Sequence, residues 1–501
     1  MKIRNFLIIG ITLFWLIMMG LLFKDYIADR FFGLRTITYK DILPRQLLLR
    51  DEWMGIYFNG SKIGYSNTYM IVKEKGLISG YSIQNETIIW LPLLGGIRRV
   101  FFKGGSFVDS EGGLVDFDFM LKSDNSVIEV KGLRFNQETL GLEINSSGIS
   151  QRRFIPMPRN SILYNPLVPL NILSDISKGK KFVMDFFNPI ALTNEKVFLV
   201  VKDKIKFPFE GKDIDAFLVS VDYRGLLTDV WLAPDGKVLK QESPLGWTIV
   251  SESPQEAINN IKIDPKDSLD LLSAYSVGAN LDIPSPGKTR YLKLRIKGLN
   301  FSIRDLEDNR QKVIGEKDSQ FLVIRRNEIP REKTVTLPIN NKETQEFLQS
   351  SDFIQANDKE IIRQARQIVG NKTNALDAAL LLNKWVFKTL RKFPTISVPS
   401  SIEVLHSKEG DCNEHTYLFV ALARSLGIPA KILVGLIFRD GRFFYHAWPA
   451  VFVGEWLSLD PTFGQDNADA THIRLLEGEL NQQLNLAGLI NKIEIDIEEY
   501  K

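Results

Sequence analysis

Short segments in which apolar and polar residues alternate dominate the first half of the chain. In "LVDFDF", for example, Val115, Phe117 and Phe119 alternate with two aspartates. This period of two is typical of a strand with one buried face. Turn sequences such as "NGS" and "PDG" separate neighbouring segments and favour hairpins. The pattern therefore predicts an antiparallel, β-rich domain, to which we assign residues 45–255.

A smaller alternating unit follows, and then the period changes. "YLKLRIKG" alternates apolar with basic residues and predicts a small β domain over residues 270–338. Apolar residues then recur every three or four positions in "DKEIIRQARQIVG" and "NALDAALLLNKWVFKTLRKF", which predicts two helices. Strand patterns return in "AKILVGLIF", "RFFYHAWPAVFV", "EWLSLD" and "INKIEIDIE". Helices followed by a short antiparallel sheet indicate an α+β domain, predicted over residues 345–501.

The N-terminus departs from both patterns, because the segment Phe6–Phe23 is apolar and carries no charge. As a helix this segment would be about 27 Å long, close to the hydrocarbon thickness of a bilayer. A cleaved signal peptide and a buried core helix are the alternatives. The run is long for a signal core, however, and no small-residue cleavage site follows it. We therefore predict an N-terminal transmembrane helix that anchors the chain within residues 1–30.

The predicted anchor bears on where the rest of the chain lies. Lys and Arg flank the apolar segment on both sides and favour neither orientation. A basic start before an apolar run resembles a signal anchor, and long domains translocate largely regardless of flanking charge. We predict a single-pass membrane protein, in contact with the membrane through this helix, with the bulk of the chain extracytoplasmic.

Length and charge narrow the class of protein further. A chain of 501 residues is too long for one ordinary core, so several domains are expected. Lys and Arg number 63 and Asp and Glu 60, which gives a net charge of +3. This near balance, without a basic stripe that contains aromatic residues, argues against nucleic-acid binding.

Cys412 is the only cysteine of the chain and lies in "KEGDCNEHTYLFVALARSLGIPAK". Exported proteins usually pair their cysteines, so a single one indicates a reactive thiol or an intermolecular bond; a buried, inert cysteine is the alternative. With Gly410 as a turn and Asp411 as the N-cap, Cys412 falls in the first turn of a helix. There the macrodipole lowers the pKa of a thiol, although the charge of Asp411 opposes the shift. The backbone N–H of Cys412 is also free to face an oxyanion.

A nucleophilic thiol needs a base, and the base needs an orienting carboxylate. His446 lies in the strand pattern "RFFYHAWPAVFV", and Asp460 follows the next strand pattern, "EWLSLD". With Gly454 at the centre of a hairpin, cross-strand partners sum to about 908, which places Asp460 diagonal to His446 on the same face. The spacing thus predicts a Cys-His-Asp triad of Cys412, His446 and Asp460.

The same residues resemble a known family, the bacterial transglutaminase-like superfamily. The resemblance is carried by the Gly-Asp-Cys helix start, the Gly-Ile-Pro-Ala exit, His-Ala-Trp and Trp-x-x-x-Asp-Pro-Thr, in that order, over about residues 345–480. It implies a papain-like core in which Cys412 is the nucleophile, His446 the base and Asp460 its partner. It also implies acyl transfer or hydrolysis on amide bonds of a peptide or protein substrate. We expect no cofactor and no metal. Cross-linkers, peptidases and amidases all occur in the superfamily, so the direction of the reaction stays open.

The predicted fold class is therefore multidomain, with an N-terminal transmembrane helix, antiparallel β-rich domains and a C-terminal α+β transglutaminase-like (papain-like) domain. No motif marks the side-chain donor of the oxyanion hole, for which Trp385 or a polar residue from the 390s are the candidates. Of the other histidines, we expect His415 to make a structural hydrogen bond, and His406 and His472 to be ordinary surface or loop residues.

Two other functions compete with the triad. Cys412, His415, His446 and Asp460 together offer four ligands for zinc. Against a zinc site, a Cys-x-x-His pair within one helix is uncommon, and the Asp-Pro sequence follows the spacing of the triad. The non-enzymatic alternative is a membrane-tethered binding or scaffold module that uses a transglutaminase-like fold.

Overall fold

The computed structural model describes residues 34–43, 49–93, 96–123, 126–146, 149–163, 176–261, 270–316, 319–332, 335–393 and 400–501. Strands make up 50% and helices 20% of the structure, so the chain is mostly β. One large sheet is formed by the N-terminal half, and three smaller sheets with most of the helices are formed by the C-terminal half.

The large sheet has sixteen strands. They are β1 (Arg35–Ile37), β2 (Leu49–Phe58), β3 (Ser61–Lys75), β4 (Ile78–Leu93), β5 (Gly96–Asp109), β6 (Leu114–Ser123), β7 (Ser126–Arg134), β8 (Thr139–Ser146), β9 (Ile149–Pro156), β10 (Ile162–Leu163), β11 (Lys181–Asn188), β12 (Thr193–Phe209), β13 (Lys212–Tyr223), β14 (Leu226–Leu232), β15 (Val238–Glu242) and β16 (Trp247–Glu252). Their order is β1-β11-β12-β13-β14-β15-β16-β2-β3-β4-β5-β6-β7-β8-β9, and β10 also pairs with β11. Two short helices accompany them, α1 (Tyr39–Ile42) and α2 (Pro254–Ile258).

Alternation along each strand explains why this sheet forms. In β6, Phe117, Phe119 and Leu121 are buried while Asp118 between them is exposed. Most strands follow their sequence neighbour through a tight turn, such as the one between β2 and β3 at Asn59 and Gly60, both of which have positive φ. The apolar faces of the strands form one hydrophobic core.

The C-terminal half contains the remaining elements. Its strands are β17 (Val277–Gly278), β18 (Tyr291–Lys297), β19 (Gln311–Ile314), β20 (Phe321–Arg325), β21 (Arg391–Lys392), β22 (Glu409–Gly410), β23 (Ala430–Arg439), β24 (Arg442–Phe452), β25 (Trp456–Ser458), β26 (Ile473–Glu477) and β27 (Glu494–Tyr500). Its α-helices are α3 (Leu271–Tyr275), α4 (Lys359–Val369), α5 (Ala375–Thr389), α6 (Ser401–Ser407), α7 (Cys412–Ser425) and α8 (Leu480–Gln483). Short 3₁₀ segments lie at Pro286–Lys288, Ile303–Leu306, Lys342–Leu348 and Leu484–Leu489.

Three sheets organise these elements. A five-stranded sheet has the order β17-β24-β23-β26, with β25 also paired to β24. A four-stranded sheet has the order β19-β20-β18-β27, and β21 and β22 form a short parallel pair. Helix α7 packs against β24 and against α4, α5 and α6. Because residues 417–423 of α7 are almost fully buried, this helix forms the centre of the C-terminal half.

One hydrophobic core joins the units that we predicted over residues 270–338 and 345–501. Strand β18 of the first unit pairs with β27 of the second, with Leu294 opposite Ile497. Leu292 and Leu294 belong to the same cluster of buried residues as the apolar side chains of α7. The predicted domain boundaries themselves stay a prediction.

The predicted fold class is wrong in one respect. Of the helices in the described part of the chain, none combines the length and the apolar character that crossing a bilayer demands. The predicted membrane segment Phe6–Phe23 lies within residues 1–33, outside the described residues. The described fold is thus mostly β, with most of its helices in the C-terminal half and without a transmembrane helix as part of its described architecture.

Candidate active site

A capped helix start holds the thiol. Asp411 is the N-cap of α7 and accepts a hydrogen bond from the backbone N–H of Asn413 at 3.0 Å. Glu414 completes a capping box by accepting from the backbone N–H of Asp411 at 2.8 Å. A Cβ at Gly410 would overlap with the side chain of Glu414, so glycine is required before the cap. Cys412 is therefore the first residue of the helix, as the sequence predicts.

The surroundings of Cys412 act on the pKa of its thiol in the direction opposite to our expectation. The residue is half-buried, and burial together with the charge of Asp411 raises the thiol pKa well above its ordinary value. A hydrogen bond from the backbone N–H of Ala447 to the sulfur opposes this effect, and the charge of Asp460 adds to it. Desolvation and nearby carboxylates thus outweigh the helix N-terminus in their effect on the thiol pKa.

The hairpin of β24 and β25 brings the predicted base and carboxylate together. Ala450 pairs with Ser458 and Phe452 with Trp456, which is the register expected for a hairpin centred on Gly454. Beyond the ladder, Nε2 of His446 lies 2.9 Å from Oδ2 of Asp460. Both side chains are buried. An ionised carboxylate only accepts hydrogen bonds, so Nε2 donates and Nδ1 is the nitrogen left to receive a proton.

Asp460 is held from several directions. Its Oδ1 accepts from the backbone N–H groups of Thr462 and Phe463, at 2.7 and 3.1 Å. Asp460 therefore caps this turn and binds His446 at the same time. Burial raises its pKa, but the charges and hydrogen bonds of His446 and His472 dominate and hold the pKa well below the ordinary value.

His472 is the residue of this site that the sequence did not reveal. It lies in a loop, as expected, but it is almost fully buried rather than at the surface. Its Nε2 lies 3.0 Å from Oδ2 of Asp460, and its Nδ1 lies 3.2 Å from Oδ1 of Asp469. The sequence offers one signal for this contact, which is Asp469 three residues before His472. The two residues lie in a tight turn immediately before β26.

Aromatic rings enclose His446. Trp448 stacks on it, with ring centroids 5.9 Å apart and planes 13° apart. On another side, the ring of Phe463 lies 5.3 Å from the imidazole. The outer side of Phe463 contacts two cations, with Cζ of Arg439 at 4.1 Å and Nζ of Lys392 at 5.3 Å from the ring centroid. The imidazole is therefore shielded from bulk water by apolar walls and has positive charge at its rim.

The other two histidines, His415 and His406, form hydrogen bonds with groups other than Asp460. His415 is fully buried and its Nδ1 lies 2.7 Å from the carbonyl oxygen of Asp411, which agrees with the predicted structural hydrogen bond. Burial lowers its pKa, which favours the neutral ring. His406 is exposed, as predicted, and its Nε2 lies 3.1 Å from Glu360.

The zinc alternative requires Cys412 and His415 to join His446 and Asp460. Among the residues that the structure describes, the close grouping of possible ligand atoms consists instead of His446, Asp460 and His472, within 4.8 Å of one another. Hydrogen bonds between these three side chains account for that spacing. The arrangement is a hydrogen-bonded network and differs from the predicted zinc set.

The candidates for the side-chain donor of the oxyanion hole are Trp385 and a polar residue from the 390s. Trp385 is half-buried on α5, packed against the hydrophobic core. Residues 394–399 lie outside the described residues. The backbone N–H of Cys412, at the first position of α7, is an orphan donor of the helix and can serve an oxyanion.

Comparison with known proteins identifies one domain within the C-terminal half. The family model of the transglutaminase-like superfamily matches residues 362–461, so the chain contains a transglutaminase-like domain, as its motifs predict. Among solved structures, the chain is similar to a candidate cysteine protease from Cytophaga hutchinsonii, at 16% identity over 42% of this chain and 87% of that one, with a TM-score of 0.27. It is also similar to a candidate protease from Parabacteroides distasonis, at 10% identity over 77% of this chain and 70% of that one, with a TM-score of 0.19. No curated protein matches the sequence.

Proposed function

We propose that the chain is a thiol enzyme that acts on amide bonds of peptides or proteins, with Cys412, His446 and Asp460 as its triad. The observation that carries the proposal is the hydrogen bond from His446 to the buried carboxylate of Asp460, where His446 lies on β24, the strand against which the helix that begins at Cys412 packs. The transglutaminase-like domain over residues 362–461 supports the same assignment.

The raised pKa of the thiol indicates how the first step proceeds. Because Cys412 is protonated at rest, Nδ1 of His446 takes the thiol proton as the sulfur attacks the substrate carbonyl carbon. The carbonyl oxygen becomes an oxyanion, which the N–H of Cys412 can stabilise. The C–N bond then breaks, the proton passes from His446 to the leaving amine, and a thioester on Cys412 remains. Asp460 holds the imidazole in place and stabilises its protonated form.

The second step decides between two reactions. Attack of water on the thioester releases a carboxylic acid, which is hydrolysis, whereas attack of a primary amine forms a new amide, which is cross-linking. In both cases His446 takes the proton of the attacking group and returns it to the sulfur.

The experiment that tests the proposal compares wild type with Cys412→Ala and Cys412→Ser on peptide-bound glutamine, with and without a primary amine. We expect ammonia release by wild type alone, and incorporated amine identifies cross-linking. The same panel tests hydrolysis of peptide bonds, which mass spectrometry of unlabelled peptides detects. Turnover by Cys412→Ala equal to wild type would overturn the proposal, and a protein without turnover on any of these amides would favour the scaffold alternative.

A further inference from the structure

A second buried histidine contacts the carboxylate of the proposed triad. His472 precedes β26, which pairs with β23, and β23 in turn pairs with the strand that carries His446. Its Nε2 lies 3.0 Å from Oδ2 of Asp460, the oxygen that also binds His446. Its Nδ1 lies 3.2 Å from Oδ1 of Asp469. Hydrogen bonds therefore connect four side chains in a row, in the order Asp469, His472, Asp460 and His446.

Hydrogen-bond accounting fixes the protonation state of His472. Asp469 accepts from the backbone N–H of Thr471 at 2.8 Å and from Nε2 of Gln465 at 2.7 Å. Asp460 accepts from two backbone N–H groups as well as from His446. Carboxylates that accept this many hydrogen bonds are ionised, and an ionised carboxylate cannot donate. Both ring nitrogens of His472 must therefore donate, which only the imidazolium can do.

The charged groups around His472 agree with this state. Burial lowers the pKa of His472, but the charge of Asp469 and the hydrogen bonds and charge of Asp460 outweigh it and raise the pKa. His446 faces His472 with ring centroids 5.8 Å apart. Arg310 donates to the carbonyl oxygens of Ala468 and Asp469 on the far side. Cys412 and His415 also lie within the field of Asp460.

We propose that His472 is a positioning residue that stays an imidazolium at neutral pH, fixes Asp460 toward His446 and offsets part of the charge of that carboxylate. The inference rests on the proposed function, because its consequence concerns the reactivity of Cys412. A carboxylate without this counter-charge holds the proton of the neighbouring Cys412 thiol more strongly. His472 thus lowers the pH at which Cys412 loses its proton.

The test uses the rate of Cys412 alkylation by iodoacetamide as a function of pH, which needs no natural substrate. His472→Gln can still donate one hydrogen bond to Asp460 but carries no charge, and His472→Leu lacks both. We expect the pH midpoint of alkylation to rise by about one unit or more in both variants, with about tenfold slower labelling below the midpoint. The matched control is His406→Gln, at an exposed histidine on another carboxylate, which should leave the profile unchanged.

A second measurement keeps the inference falsifiable if the variants do not fold. The chain has 4 histidines, so ¹⁵N NMR of the imidazoles resolves each one. We expect both nitrogens of His472 to stay protonated at neutral pH, where an ordinary histidine is mostly neutral. A neutral His472 at pH 7, or an alkylation midpoint that does not move in folded His472→Gln, overturns the inference. A different result would overturn the proposed function: a rate of Cys412 alkylation in His446→Ala equal to that in wild type.

Discussion

At the scale of residues, the site depends on a few short contacts that sequence spacing could only partly predict. The hairpin centre at Gly454 was enough to bring Asp460 to His446, because strand pairing converts chain separation into distance. The sequence did not reveal His472 because both it and its partner Asp460 lie in loops, and the strand that follows His472, β26, joins the sheet through β23, which no local pattern encodes. The direction of the Cys412 pKa shift was also missed, since burial depends on the whole fold.

The carboxylate of Asp460 should be essential for turnover. In Asp460→Asn the side-chain amide can donate to Nε2 of His446, which selects the wrong tautomer of the imidazole. We expect kcat/KM to fall by at least about 10²-fold while the fold is retained. Steady-state kinetics on the substrate found with the panel above, with circular dichroism as the check on folding, measures this. A loss below threefold would show that Asp460 does not orient His446.

Gly435 is expected to keep β26 close to the site. It lies opposite His446 on β23, and a Cβ at this position would overlap with the backbone carbonyl oxygen of Ile473. Gly435→Ala should displace β26, cost about 1–3 kcal/mol in the free energy of unfolding and raise the alkylation midpoint of Cys412. Gly104→Ala in β5, where the nearest atom is 4.0 Å from the new Cβ, is the control. An unchanged stability of Gly435→Ala would contradict the packing argument.

At the scale of elements, local patterns predicted most of the strands and helices. Alternation identified β6 and the C-terminal strands, and the turn at Gly410 with the N-cap Asp411 identified the start of α7. Asp411 has two effects at the start of α7. It stabilises the helix by capping it, and its charge raises the pKa of the Cys412 thiol. Capping and thiol acidity are therefore coupled at the start of this helix.

Substitutions at Asp411 should separate these two effects. Asp411→Asn keeps a capping oxygen without the charge, so the alkylation midpoint of Cys412 should fall with little change in stability. Asp411→Ala should lower the midpoint as well and reduce the free energy of unfolding by about 1 kcal/mol. Asp358→Ala, at the N-cap of α4, is the matched control and should lose stability without any change at the thiol. A midpoint that rises in Asp411→Asn would refute the electrostatic account.

At the scale of the whole molecule, the sequence predicted a β-rich N-terminal half and a helical-then-stranded C-terminal half, but not how its units join. Leu292 in β18 pairs with Tyr500 in β27, across most of the C-terminal half. Such long-range pairing leaves no trace in local periodicity, so the common core of these units could not be read in advance. The predicted membrane segment Phe6–Phe23 lies outside the residues that the structure describes.

Acid should destabilise the whole fold through the two buried aspartates. The pKa values of Asp460 and Asp469 are held below the ordinary value, so their contribution is present above about pH 4 and is lost as the pH falls through the folded values. We expect the free energy of unfolding to decline steadily between about pH 4 and pH 2, with a shallower decline in Asp469→Asn. Urea unfolding at several pH values measures the slopes. Asp203→Asn, at an exposed ion pair, should match wild type, and equal slopes in wild type and Asp469→Asn would exclude this source of acid sensitivity.

The most direct test of the central claim is acylation of Cys412 by an activated ester such as p-nitrophenyl acetate, followed by mass spectrometry of the intact chain and its peptides. The account predicts a rapid acetyl thioester on Cys412 in wild type, at least about tenfold slower acylation in His446→Ala, and none in Cys412→Ala. Equal acylation of Cys412 in wild type and His446→Ala would contradict it.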